Sequence, residues 1–221
     1  MAHTARHGRP GLEERAESVK DWALVHSREL GIAVVALAAA AAGVWLFVQY
    51  RDSRATNASK SLMAAEQAYS SGNVPLAQRD LESVIARFDG TSAEHRARIL
   101  LAHIHFDKRE FERGISQLEV VAGSGEKSLV PGANGMIADG YEELGQFDKA
   151  AQYYTRAADA AGFPVLKSTF LTSAARAYVT AGKKAEAVKI WEGLAEDPST
   201  PTAGEARVRL GELTAKPATR S

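Results

Sequence analysis

His95, His103, His105 and Asp107 form the densest gathering of metal ligands and proton carriers in the 221-residue chain. Neutral imidazole binds zinc and also exchanges protons near pH 7, so such a cluster invites a metal centre or general-base chemistry. The spacing argues against both. Side chains two positions apart on a helix point to nearly opposite sides, so His103 and His105 cannot close on one ion without breaking the helix. His105 stands where other segments of the chain carry tyrosine, which marks it as a packing residue. Gly123-Ser124-Gly125 has the small residues of a phosphate loop but neither a preceding strand nor a following lysine. No serine sits in a nucleophile-elbow context. The absence of cysteine removes thiolate nucleophiles, disulfides and thiolate zinc sites. The sequence therefore offers no catalytic, cofactor-binding or metal-binding residue, and the chain is read as a non-enzyme without a small-molecule substrate.

Binding to another macromolecule is left, and charge narrows the choice. The 27 Lys/Arg and 27 Asp/Glu residues cancel, so no broad positive field gathers nucleic acid, and proteins are the expected partners.

The elements that would position a binding surface are helical throughout. Residues 31–50 read GIAVVALAAAAAGVWLFVQY, a stretch with no charge. At about 1.5 Å per residue a helix of that length reaches about 30 Å, the thickness of a bilayer's hydrocarbon core. Arg28 and Glu29 precede it, Arg51, Asp52 and Arg54 follow it, and Trp45 and Tyr50 sit toward one end, where amphipathic rings favour the interface. A single transmembrane helix over 31–50 is predicted, driven by Ile32, Val34, Val35, Leu37, Val44, Leu46, Phe47 and Val48, since alanine is nearly neutral for insertion. A buried helix of a soluble core would carry a polar face. A cleavable signal peptide, with Ser53 and Ala55 as its small-x-small site, would have a shorter apolar region and less chain before it. Ala39 and Gly43, four apart in the run from Ala36 to Gly43, would admit a second membrane helix at close range. Residues 1–30 carry five Lys/Arg (Arg6, Arg9, Arg15, Lys20, Arg28) against Arg51, Arg54 and Lys60 just after the stretch. That bias places the N-terminus in the cytoplasm and the rest outside it.

Beyond residue 55 the chain repeats. Ala138, Tyr141, Gly145, Ala150, Tyr154 and Ala157 recur 37 residues later as Ala175, Tyr178, Gly182, Ala187, Trp191 and Leu194. The frame continues backward through Ala102, His105, Arg109, Gly114, Leu118 and Val121, and then through Ala65, Ala68, Gly72, Ala77, Leu81 and Val84. A small residue on one helix lets the next lie against it, an aromatic fills the gap, and glycine ends the first helix in a tight turn. The pattern resembles tetratricopeptide repeats and predicts four helical hairpins joined by the longer links ARFDGTSA, AGSGEKSLVPGANG and AAGFPVLKS. Thr91 with Glu94 and Thr202 with Glu205 have capping-box spacing, and Pro75 and Pro201 suit first helical turns. The segment from Pro201 to Ala215 reads as a terminal capping helix.

The expected organisation is all-α. A cytoplasmic segment over 1–30 has an unstructured first ten residues and a short amphipathic helix marked by Leu12, Ala16, Val19 and Ala23. The transmembrane helix over 31–50 follows, then the tetratricopeptide-like α-solenoid over 55–215, and a disordered tail over 216–221. In such arrays the first helices line a concave groove. On this frame the groove positions are Glu66, Tyr69, Ile99, His103, Phe106, Asp139, Glu142, Arg176 and Val179. Tyr69 and Phe106 would offer a polypeptide partner large area at small rotamer loss. The same residues would serve equally as plain amphipathic surface.

The segment ESVKDWALVHSRELGIAVVALAAAAAGVWLFVQYRDSR, followed by SKSLMAAEQAYSSGN, resembles the YfgM-like ancillary subunits of the SecYEG translocon. The likeness runs from about Glu17 to Thr214: a short charged helix, one span, then a degenerate repeat domain without a linker. It implies a bacterial inner-membrane protein with a periplasmic repeat domain, associated with the SecYEG translocon and with a membrane-anchored periplasmic chaperone of the prolyl-isomerase class. The better-formed third and fourth repeats would equally suit a structural scaffold for an envelope machine of outer-membrane assembly or cell division.

Overall fold

A computed structural model describes residues 22, 24–197 and 201–215, the side chains of residues 30, 33 and 34 excepted. The expected amphipathic helix of the N-terminal segment falls largely outside that range, and the expected tail over 216–221 falls wholly outside it. Through the described residues run nine helices: α1 (Ser27–Ser70), α2 (Val74–Arg87), α3 (Ser92–Asp107), α4 (Phe111–Ala122), α5 (Val130–Glu143), α6 (Phe147–Ala160), α7 (Pro164–Thr180), α8 (Lys184–Glu196) and α9 (Ala203–Thr214). The chain divides into two compact units, Met1–Ser53 and Arg54–Ser221.

In the first unit the described chain is almost wholly α1. Ile32, Val35, Leu37, Val44, Leu46, Phe47 and Val48 are all exposed among the described residues. Among the described residues, however, no helix is long and apolar enough to cross a membrane. The span expected over 31–50 thus lacks support from the structure.

The second unit is a stack of hairpins. Ala58, Leu62, Ala65 and Ala68 make a buried stripe at helical spacing along the C-terminal part of α1, and Ala77, Leu81 and Val84 do the same on α2. Each hairpin has too little apolar surface to close a core alone, so the clusters fall at the joints between neighbours. Leu62, Leu81 and Val84 pack with Ala97 and Leu101 of α3. Ala102 of α3 packs with Ile115, Leu118 and the next hairpin's Ile137. Tyr154 of α6 packs with Ala174 and Ala177 of α7, and Trp191 of α8 packs with Ala206 of α9, which closes the stack.

One turn ends all four first helices. Gly72, Arg109, Gly145 and Gly182 have φ of 81°, 62°, 69° and 76°. The next residue's N–H returns to a carbonyl five positions back: Asn73 to Ala68, Glu110 to His105, Gln146 to Tyr141 and Lys183 to Tyr178, at 2.8–2.9 Å. These are Schellman closures, and they satisfy carbonyls that the helix end would orphan. The accepting carbonyls belong to the repeat's aromatic slot, so the residue that fills the core also anchors the turn.

The helix starts correct part of the sequence reading. Thr91 Oγ1 accepts from the Glu94 N–H at 3.2 Å, as its spacing predicts. Glu94 does not return the bond to Thr91; its carboxylate is 1% exposed and pairs with Arg98 and His95. Thr202 makes no side-chain cap bond, its backbone being helical (φ −91°, ψ −3°) where a cap is extended, and the Glu205 carboxylate pairs with Arg176 at 2.5 Å. Pro75 lies in the first turn of α2, whereas Pro201 precedes the capping residue Thr202.

Candidate protein-binding groove

The nine groove residues expected from the sequence fall into three concavities. Glu66 and Tyr69 of α1 meet Ile99 and His103 of α3 around a recess of about 360 Å³, with Arg96 and Leu129 at its edge. Phe106 of α3 meets Asp139 and Glu142 of α5 around a second recess of about 480 Å³. Arg176 and Val179 of α7 line a third, of about 230 Å³, with Arg209 and Leu213 of α9 opposite them. The groove is thus divided into three separate recesses.

In the first recess the apolar wall is Tyr69, Ile99 and Leu100, and the polar groups are spread around it. Arg96 lies 3.8 Å from Glu66, and both are substantially exposed, so the pair contributes little by itself. His103 is exposed. His105 faces the other way, 7% exposed, and its Nδ1 donates to Glu110 Oε2 at 2.7 Å. His95 is engaged separately, between Glu94 and Glu126. His95 and His105 therefore meet separate carboxylates, and His105 is buried as a packing residue is.

The second recess is acidic. Tyr154, from the second helix of the third hairpin, donates its hydroxyl to Asp139 at 2.5 Å, with Glu142 also in reach at 3.3 Å. Burial pushes the Tyr154 hydroxyl well above its ordinary value, and the hydrogen bond to Asp139 adds to the shift. Burial also raises Glu142, against the Tyr154 hydrogen bond, and the neighbouring charges of Asp139 and Glu143 push it the same way. Tyr154 thus holds two carboxylates together at the groove wall, a link between second and first helices that linear spacing does not display. Phe106 lines this recess and also packs between helices. A Cβ on Gly140 would stand 2.9 Å from Phe106 Cζ, and one on Gly114 would overlap its ring. The ring is half-buried and wedged between two glycines, with Phe111 at 5.8 Å, so Phe106 packs α3 against α4 and α5.

In the third recess Arg176 is held by Glu205 at 2.5 Å and Arg209 by Glu212 at 3.0 Å, which leaves Val179, 42% exposed, as its accessible apolar group. The capping helix therefore forms a wall of the groove. That role was hidden in the sequence, because Glu205 reads there as a capping partner of Thr202.

Residues 20–192 match the family described as tetratricopeptide repeat-like domain. No curated protein matches the chain. A Podosopora anserina kinesin light chain structure with nearly identical TPR-like repeats aligns with a TM-score of 0.52 and 18% identity, covering 72% of this chain and 86% of that one. A point variant of the same protein aligns with a TM-score of 0.52 and 18% identity over 72% and 85%. At that identity the likeness is one of fold.

Proposed function

Because the chain belongs to the tetratricopeptide repeat-like domain family, a fold that typically binds proteins without catalysis, we propose that it is a non-enzymatic, membrane-tethered interaction module. In this reading it assists secreted or envelope proteins at the Sec translocon, together with a periplasmic chaperone. Three recesses along one series of helices carry the proposal. Each sets apolar area beside fixed charges, as a surface for an extended polypeptide requires. The tether is supported by Ile32, Leu37, Trp45, Leu46 and Phe47 of α1, a band of apolar side chains exposed among the described residues. The charge bias around residues 31–50 supports a cytoplasmic N-terminus and an extracytoplasmic repeat domain.

Purification of the full chain in mild detergent tests the partner. Translocon subunits and a membrane-anchored chaperone are expected. Recovery of an outer-membrane assembly or cell-division complex instead would replace this reading with the scaffold one. Glu66→Lys and Val179→Asp, both at accessible positions of the groove, should reduce that recovery without moving the melting temperature. Alkaline washing should leave the chain with the membrane, and protease should reach the repeat domain in spheroplasts.

A further inference from the structure

We infer that the edge of the fourth hairpin, from Phe163 to Lys167 with the cleft beside it, is a second docking surface, for an acidic segment of a partner protein that inserts a large apolar side chain. This goes beyond the groove, with whose three recesses the cleft shares no residue.

Phe163, Val165 and Leu166 are 74%, 59% and 38% exposed. They stand next to a cleft of about 400 Å³ between α7 and α8, walled by Pro164, Leu171, Ile190 and Leu194. The fold does not need these groups to be apolar. The repeat frame puts Gly90-Thr91-Ser92 and Glu126-Lys127-Ser128 in the register of Phe163-Pro164-Val165. Two of those polar residues work within the protein, where Ser92 donates to Glu126 at 2.8 Å. Phe163 lies in the register of Glu126 and stays exposed.

The cleft, too, is specific to this hairpin. Leu171 and Ile190 correspond in the frame to Arg98 and Gln117, whose 2.9 Å hydrogen bond bridges the same place in the second hairpin. Ile190 and Gly193 correspond to Tyr153 and Arg156 of the third hairpin, where the guanidinium lies 4.5 Å above the ring and covers it. In the fourth hairpin apolar walls replace the bridge and glycine replaces the cover. A Cβ at Gly193 would meet nothing within 4 Å.

Charge identifies the occupant. Lys167 and Lys189 border the cleft against the single carboxylate of Asp197. Both lysines are exposed. A partner with Asp or Glu flanking a leucine, methionine or phenylalanine complements that arrangement: the side chain fills the recess and the carboxylates meet the lysines. A flat bilayer would meet Phe163 and the lysines but leave the recess unfilled.

The test places p-benzoylphenylalanine at position 163 of the full chain in native membranes, irradiates, and sequences the crosslinked segment. Crosslinking to a protein segment with an acidic residue beside a large apolar one is expected. Gly193→Arg should lower its yield at least about tenfold, as loss of a buried hot spot does. Because position 193 has open space and the third hairpin carries Arg156 in its register, this variant should melt at or slightly above the parent. Should it fold poorly, the paired surface changes Lys167→Glu and Lys189→Glu serve in its place, with the same loss expected. Crosslinks only to lipid, only to a second copy of the chain, only to segments without carboxylates, or none at all would overturn the proposal. So would a yield unmoved in a folded variant. Recovery of the groove's own partner should be unchanged by all of these substitutions, which separates failure here from failure of the groove.

Discussion

Arg109 is the one described non-glycine residue with positive φ, at 62°, and it stands where the other hairpins put glycine. A side chain in the left-handed region costs about 1–2 kcal/mol, because its Cβ crowds the following carbonyl. Arg109→Gly relieves that cost and gives back about 0.5–1 kcal/mol through the greater freedom of glycine in the unfolded chain. It also removes a 2.7 Å pair with Glu143 whose side chains are 75% and 53% exposed, worth little in water, and a guanidinium 5.6 Å above Phe111. Against the parent the net change is therefore small, and the informative comparison is with Arg109→Ala. Both variants lose the guanidinium, and only alanine keeps a Cβ at positive φ. Arg109→Gly should be more stable than Arg109→Ala by about 1 kcal/mol. Urea unfolding of the full chain reads this as a midpoint about 0.5 M higher at equal slope. Equal midpoints, or a higher one for alanine, would refute the claim that the turn at 109 is a strained copy of the glycine turns at 72, 145 and 182.

Three further outcomes follow from packing and charge. Gly140→Ala sets a Cβ 2.9 Å from both Ile115 and Phe106, so it should destabilise by about 1–3 kcal/mol in a thermal melt, whereas Gly193→Ala, in open space, should stabilise by up to about 1 kcal/mol. Phe106→Ala should cost about 2–3 kcal/mol, somewhat less than a fully buried ring, and any loss of partner binding should disappear at a temperature where the variant is fully folded. Glu126 is held below the ordinary carboxylate value, chiefly by the hydrogen bond from His95, although its partial burial acts the other way. Its stabilising contribution is thus present above the unfolded value and is lost as pH falls through the lower folded one. Glu126→Gln should therefore be less stable than the parent at pH 7 and converge with it below about pH 4, as urea titrations at each pH would show.

Much of the repeat architecture was legible because it is local and recurs. The alanine stripes, the glycine turns and the 37-residue interval between Ala138 and Ala175 each report a single hairpin, and a pattern seen twice exposes its degenerate copies. His105 was legible as packing for the same reason. Less visible were features set by residues that meet only across hairpins. Thr202 and Glu205 have capping spacing, but Arg176, from another helix, takes the carboxylate. Phe106 reads as exposed groove surface until Gly114 and Gly140 of the two facing helices are brought against it. Tyr154 shows its aromatic slot in the sequence but not the two groove carboxylates it holds. The apolar stretch over 31–50 reads by length as a span, yet among the described residues no helix is long and apolar enough to be one.

The hydrogen-bonded cluster around Glu94 also bears on assembly order. Alanine-rich hairpins of similar outline are easily confused for one another while the chain collapses, since smooth small-residue faces fit many mates almost equally well. Glu94, 1% exposed, is satisfied through Arg98 and His95, which in turn reach Gln117 of α4 and Glu126 of the link beyond it. Were α3 to choose α6 or α8 instead, Tyr153 or Ile190 would stand at the place of Gln117, and Arg98 would lose that hydrogen bond at a penalty of about 1–3 kcal/mol. Apolar faces alone would tolerate such a shuffle. The cluster therefore favours α4 as the mate of α3 over the other second helices.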